Sequence, residues 1–137
     1  MRVLGIDVGA KRFGVALSDE LGLTAQPLET IAAREVDPLE RVAELVALHG
    51  VEVVVVGLPL SLGGGDRGAS SRRARAFGER IAARCRVDVI YRDERFTTAE
   101  AERVLVGGGV RRRARRGVVD KLAAALILQG YLDGRAR

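Results

Sequence analysis

The sequence predicts an α/β fold: a mixed five-stranded sheet, three strands antiparallel and two parallel, with helices on both faces. Three observations point to it. Two short apolar runs at the start, "RVLGIDVG" and "FGVALSD", are separated only by "AKR", the spacing of a β-hairpin. "VEVVVVG" (51–57) is an unbroken β-branched run, as in a strand covered on both faces of a parallel sheet. Stretches of helical periodicity lie on either side of it.

Each element has a local reason. "LTAQPLETI" reads as a third antiparallel strand, and Pro27 within it argues for an edge position, where a missing N–H costs no ladder bond. A helix begins near Asp37, its N-cap. Pro38 takes the first helical position, and Glu40 completes a D-x-x-E of capping-box type. Leu39, Val42, Leu45 and Val46 form the apolar stripe of that helix, and Gly50 ends it. A second helix follows "LPLSLGGGDRGASS", with Ala74, Phe77, Ile81 and Cys85 on one face. "VDVIY" is the fifth strand. Thr97 caps a third helix, with Glu100 three residues on. "VVDKLAAALILQGYL" closes the chain as a helix apolar almost all round, hence largely buried. The order β-β-β-α-β-α-β-α-α joins a three-stranded meander to two parallel strands through helical crossovers.

Bulk properties narrow the class. The 137 residues suffice for one domain (1–137), with 47% apolar and 30% charged residues. No apolar run reaches the roughly 18 residues of a membrane span, and the start lacks the sections of a signal peptide. The lone Cys85 has no partner for an internal disulfide, so a cytoplasmic location is expected. The net charge is +5, and all cations except Lys11 and Lys121 are arginines. Arginine suits bidentate phosphate contacts, although GC-rich coding also enriches it.

Asp7 stands inside the first apolar strand. Burying a carboxylate unpaired is costly, so it needs a partner, an open cleft or a cation. Alternation places Val3, Gly5, Asp7 and Gly9 on one face, and the two flanking glycines leave room for a cation or a phosphate to approach. A plain hairpin acid beside Arg12 is the simpler alternative. Glu94, in "DERFTT", follows the fifth strand, where ligands of open α/β sheets gather; a solvated turn pairing Asp93 with Arg95 competes. Asp120 shares a helical stripe with Ala123, Ala124, Ile127 and Tyr131, which carries it to the sheet; the alternative is an acid stabilised at a helix N-terminus. Oxygen donors without a His/Cys cluster indicate Mg²⁺ or Mn²⁺ rather than zinc. His49, beside Gly50, reads as structural.

"GIDVGAKRFGVALSD", "VVVGLPLSLGG", "DERFTTAEAERVL" and "VVDKLAAALILQGYLD" resemble, in order and over nearly the whole chain, the YqgF/RuvX family. These are Holliday-junction-resolvase-like nucleases, also described as pre-16S rRNA processing enzymes, with an RNase H-like fold. The resemblance implies metal-dependent hydrolysis of phosphodiester bonds, with the family's acidic positions on Asp7, Glu94 and Asp120 as catalytic and metal-binding residues. It implies a nucleic-acid partner, structured RNA or branched DNA, and a monomer or homodimer. RNA processing is favoured, because junction resolution wants a symmetric dimer and no dimer seam is visible. Junction resolution and non-catalytic nucleic-acid binding are the alternatives. Relatives that resolve junctions tend to carry a fourth carboxylate one helical turn after the last Asp. Here that position is Ala123, which leaves Asp93 or Asp19 as substitutes.

Substrate contacts are expected from Lys11 and Arg12 beside the first acid, and from Arg67, Arg72 and Arg73 in the glycine-rich stretch that opens the second helix. Arg95 and Lys121, next to the second and third acids, join them. "VRRRARRG" (110–117), containing Arg112, Arg113, Arg115 and Arg116, follows "VGGG" and reads as a loop that orders on nucleic acid, with a merely solvated charge run as the alternative.

Overall fold

The computed structural model describes residues 1–59, 68–93 and 112–135, the first six of the last stretch as backbone only. The strands are β1 (Arg2–Val8), β2 (Arg12–Ser18), β3 (Ala25–Ala32), β4 (Val51–Leu58) and β5 (Asp88–Asp93). The helices are α1 (Pro38–His49), α2 (Ala69–Cys85) and α3 (Arg112–Arg135). The strands form one sheet in the order β3-β2-β1-β4-β5, with β1–β2 and β2–β3 antiparallel and β1–β4 and β4–β5 parallel. This is the mixed sheet the element order predicts, with Pro27 on its edge strand. The helix expected from Thr97 lies outside the described residues.

Strand alternation sorts the core into two layers. Leu4, Ile6, Val15, Leu17, Val54 and Val56 face α1 and α2, where they meet Val42, Leu45, Ala74, Phe77 and Ile81. Val3, Ala16, Val53 and Val55 face α3, where they meet Ala124, Ile127, Leu128 and Leu132. From Val118 to Leu132 no residue of α3 is exposed, as its nearly continuous apolar character requires.

Helix α1 follows its capping signals. The Asp37 carboxylate accepts from the Leu39 N–H at 3.0 Å, Pro38 opens the helix, and Gly50 ends it at φ 63°. Asp37→Ala should cost about 1 kcal/mol and lower the melting temperature by a few degrees, measured by circular dichroism. Glu40 does not serve the cap as its D-x-x-E position suggested. Both its carboxylate oxygens take hydrogen bonds from Arg84 of α2, at 3.0 and 3.1 Å. A bidentate guanidinium is the stronger competitor for that carboxylate. Cys85 packs against the core, and burial raises its thiol pKa.

Helix α3 corrects another expectation. Residues 112–117, read from sequence as a loop, are its first turns. Arginine and alanine are good helix formers, and the single Gly117 is too weak a breaker to stop a helix anchored further along. Its far end is pinned by Gln129, whose Oε1 accepts from Ala25 N–H at 2.9 Å and whose Nε2 donates to the Leu23 carbonyl at 3.0 Å. Among the described residues, no helix is long and apolar enough to cross a membrane.

Candidate active site

The carboxyl ends of the parallel strands β1, β4 and β5 lie along one edge of the sheet, and β2 starts from that edge. Asp7, half-buried, sits there on the α3 side, directly opposite Gly14 of β2. Paired residues of antiparallel strands point to the same face with Cα atoms about 5 Å apart. Gly14 is in turn a point where α3 comes closest to the sheet backbone. A Cβ built on it would overlap the carbonyl group of Asp120 and stand 2.8 Å from the Lys121 nitrogen. The missing side chain at Gly14 therefore lets the backbone at Asp120 settle beside Asp7. Two predicted acids, 113 positions apart in the chain, are thereby brought to the same edge and face of the sheet.

The glycines expected to leave Asp7 accessible have other uses. A Cβ on Gly5 would come within 2.7 Å of Leu128 Cβ and 3.0 Å of the Ala124 carbonyl, so the space above it is filled by α3. At Gly9 a Cβ would run into the Arg12 carbonyl, which marks the tight β1–β2 turn. Gly14 was not legible as part of the site, because its role depends on a helix that arrives more than 100 residues later.

Asp120 has a partner. Arg12, at the start of β2 on the same face as Gly14, donates from Nε to Asp120 Oδ2 at 2.7 Å. The Asp120 side chain keeps 20% of its exposure and that of Arg12 keeps 41%. With α3 starting at Arg112, Asp120 lies two turns inside the helix, so its placement is not owed to the N-terminal dipole. Ala123, one turn on, is fully buried against the sheet.

The substitutes for a fourth carboxylate separate clearly. Asp19 is at the opposite end of the sheet, because Leu17 pairs with Leu4 near the start of β1. There its Oδ1 accepts from the Leu23 N–H at 2.6 Å and the Thr24 N–H at 3.0 Å. These bonds, that from Thr24 first, hold its pKa below the ordinary carboxylate value. Asp19 is a turn residue. Asp93 ends β5 at the correct edge but has the strand parity of Tyr91, which packs on the α1/α2 side, whereas Asp7 faces α3. Glu94 immediately follows Asp93 in sequence and, with Arg67 and Arg95, lies outside the described residues. Among the described residues no group of three carboxylate, His or Cys side chains is gathered for a metal. Asp7 and Asp120, on the same edge and face of the sheet, are hard oxygen donors, which suits Mg²⁺ or Mn²⁺. His49 is remote, its Nδ1 3.2 Å from an Arg2 Nη1 beside the start of β4.

The basic residues are distributed around the same edge. Lys11 is exposed in the β1–β2 turn, and its carbonyl accepts from Ala33 N–H at 3.0 Å, which brings exposed Arg34 alongside. Arg34 was not singled out by sequence, where it is one isolated cation after a strand. Arg72 and Arg73 are exposed in the first turn of α2, which is tied to the end of β4 by the Ser71 Oγ–Pro59 carbonyl bond of 3.1 Å. Lys121 is half-buried next to Asp120, and Arg112, Arg113, Arg115 and Arg116 are in the opening turns of α3.

The architecture matches solved nucleases. Thermus thermophilus RuvC in complex with a Holliday junction substrate superposes with a TM-score of 0.60 at 22% identity, covering 99% of this chain and 96% of that one. Fowlpox virus Holliday junction resolvase gives 0.58 at 16% identity, covering 98% and 99%. The fold is therefore that of the RNase H-like resolvases. The family model described as "RuvX: Holliday junction resolvase" matches residues 1–134. The chain belongs to the RuvX (YqgF) family. A Symbiobacterium thermophilum protein is 51% identical over 137 residues, covering 99% of this chain and 94% of its own. One from Lactococcus lactis is 49% identical over 138 residues, covering 98% and 96%. Both carry the provisional name pre-16S rRNA nuclease.

Proposed function

We propose that this protein is a divalent-metal-dependent endonuclease that hydrolyses nucleic-acid phosphodiester bonds in the cytoplasmic maturation of pre-16S rRNA. The observation that carries this reading is the convergence of Asp7 and Asp120 over Gly14 at the carboxyl edge of the sheet, in a chain of the RuvX family. Its relatives at about half identity are named for that RNA. Asp7, Glu94 and Asp120 present the carboxylate oxygens that hold Mg²⁺ or Mn²⁺. The bound cation supplies an activated water and stabilises charge on the phosphate. Lys11, Arg12, Arg72 and Arg73 grip flanking phosphates, as do the arginines that open α3. Such contacts make affinity fall steeply with salt and carry little sequence information.

The family description names a different substrate, the Holliday junction. The deciding experiment incubates the protein with Mg²⁺ or Mn²⁺ and either a precursor 16S rRNA fragment or a synthetic four-way DNA junction, with a chelator control. The expected result is cleavage of the RNA that stops when the chelator is added, with the junction cut slowly or not at all. Cleavage confined to the junction transfers the same active site to DNA resolution. Salt-sensitive binding to both, without cleavage in either metal, overturns the enzymatic reading.

A further inference from the structure

The Arg12–Asp120 pair has a consequence for how the site is loaded. With its Oδ2 bonded to a guanidinium at 2.7 Å, Asp120 has one oxygen engaged and its negative charge partly offset, which weakens its hold on a cation. The contact uses Nε alone, and no terminal amino nitrogen of Arg12 is bonded to Asp120. The fork of Nη1 and Nη2 is the part of arginine that grips phosphate. With 41% of the Arg12 side chain exposed, Lys11 in the adjoining β1–β2 turn and Arg34 in the neighbouring β3–α1 turn, a nucleic-acid backbone has a route to it.

We infer that Arg12 is a substrate-operated latch: it holds Asp120 in the free protein and gives it up to the metal when a nucleic-acid phosphate takes the guanidinium. This rests on the reading of Asp7 and Asp120 as metal ligands. It makes Arg12 a positioning residue that couples two binding events. By linkage, metal and backbone phosphate then bind cooperatively, each raising the affinity of the other by the same factor. A half-exposed pair of this kind implies a modest factor, roughly fivefold.

Two readouts test it without recourse to cleavage. The first is the ¹H–¹⁵N signal of Arg12 Nε–H, assigned by its absence in Arg12→Lys. It is expected to be displaced from those of free arginines, to return in Asp120→Asn, and to move when a phosphate-backbone oligonucleotide is added without metal. An uncharged methylphosphonate oligonucleotide of the same sequence should leave it in place. The second readout is calorimetric Mg²⁺ affinity in the absence of nucleic acid. Arg12→Gln is expected to bind Mg²⁺ roughly fivefold more tightly than the parent. Arg12→Lys, which keeps the positive charge but lacks Nε, should fall between them and separates the pairing from simple charge removal. An Arg12 signal that ignores the phosphate oligonucleotide, or equal Mg²⁺ affinity in the parent and Arg12→Gln, overturns the latch while leaving the metal site standing. Mg²⁺ binding that is absent throughout, or unchanged by Asp7→Asn and Asp120→Asn, overturns the metal reading itself and the latch with it.

Discussion

Asp7→Asn is expected to reduce metal-dependent cleavage by two to three orders of magnitude while the melting temperature stays within a few degrees of the parent. The substitution keeps the side chain's shape and one oxygen acceptor but removes the negative charge. A loss of that size corresponds to about 3–4 kcal/mol of transition-state stabilisation, the scale of one charge contact in a metal-centred site. Folding should tolerate the change because Asp7 is at the end of β1, half-buried beside a glycine rather than packed in the core. A carboxylate kept at a sheet edge for its chemistry is a place where function costs stability, so a small rise in melting temperature fits the same reading. The check is a pair of measurements on one preparation: single-turnover cleavage with saturating Mn²⁺, and a thermal melt. Cleavage within tenfold of the parent would remove Asp7 from the site. A collapse of the melting temperature would instead make its role structural.

What the sequence discloses about this protein follows from how local each signal is. The strands were legible because alternation and β-branched runs are properties of neighbouring residues. Helix α1 was legible because Asp37, Pro38 and Gly50 mark its ends within a dozen positions. The start of α3 was misread for a related reason: "VGGG" is a strong local breaker, but the helix is held in place by Leu128, Leu132 and Gln129 far downstream. The acids could be nominated singly, since a carboxylate in an apolar strand or on an apolar helix face is conspicuous. That Asp120 lands on the edge that carries Asp7 could not be read, because the contacts that place it, among them the Arg12–Asp120 bond across 108 positions, depend on where α3 lands. The candidates for a fourth carboxylate show the same limit. Asp19 and Asp93 are equivalent on paper, and only sheet register sends one to the wrong end and the other to the wrong face.

Gly14→Ala should produce the largest loss of stability of any single methyl added to this sheet. The new Cβ would occupy the space of the Asp120 carbonyl, and a backbone group cannot escape by changing rotamer. Either β2 bends or α3 lifts, and α3 is fastened by the Gln129 bonds at its far end and by buried Leu128 over Gly5. The cost should be about 3 kcal/mol or more, the upper end for overpacking, or roughly 10 °C in melting temperature for a chain of this size. Gly50→Ala is the internal comparison. Nothing lies within 4 Å of a Cβ there, and only the left-handed φ of 63° opposes the substitution, at about 1 kcal/mol. Equal losses from the two would mean that α3 does not press on Gly14 and that Asp120 is not delivered to Asp7 by this contact. A loss at Gly14 several times larger, accompanied by weakened Mg²⁺ binding in the fraction that still folds, ties the packing of one glycine to the assembly of the site. The same missing methyl group would then set both where α3 rests and how far apart the two carboxylates stand.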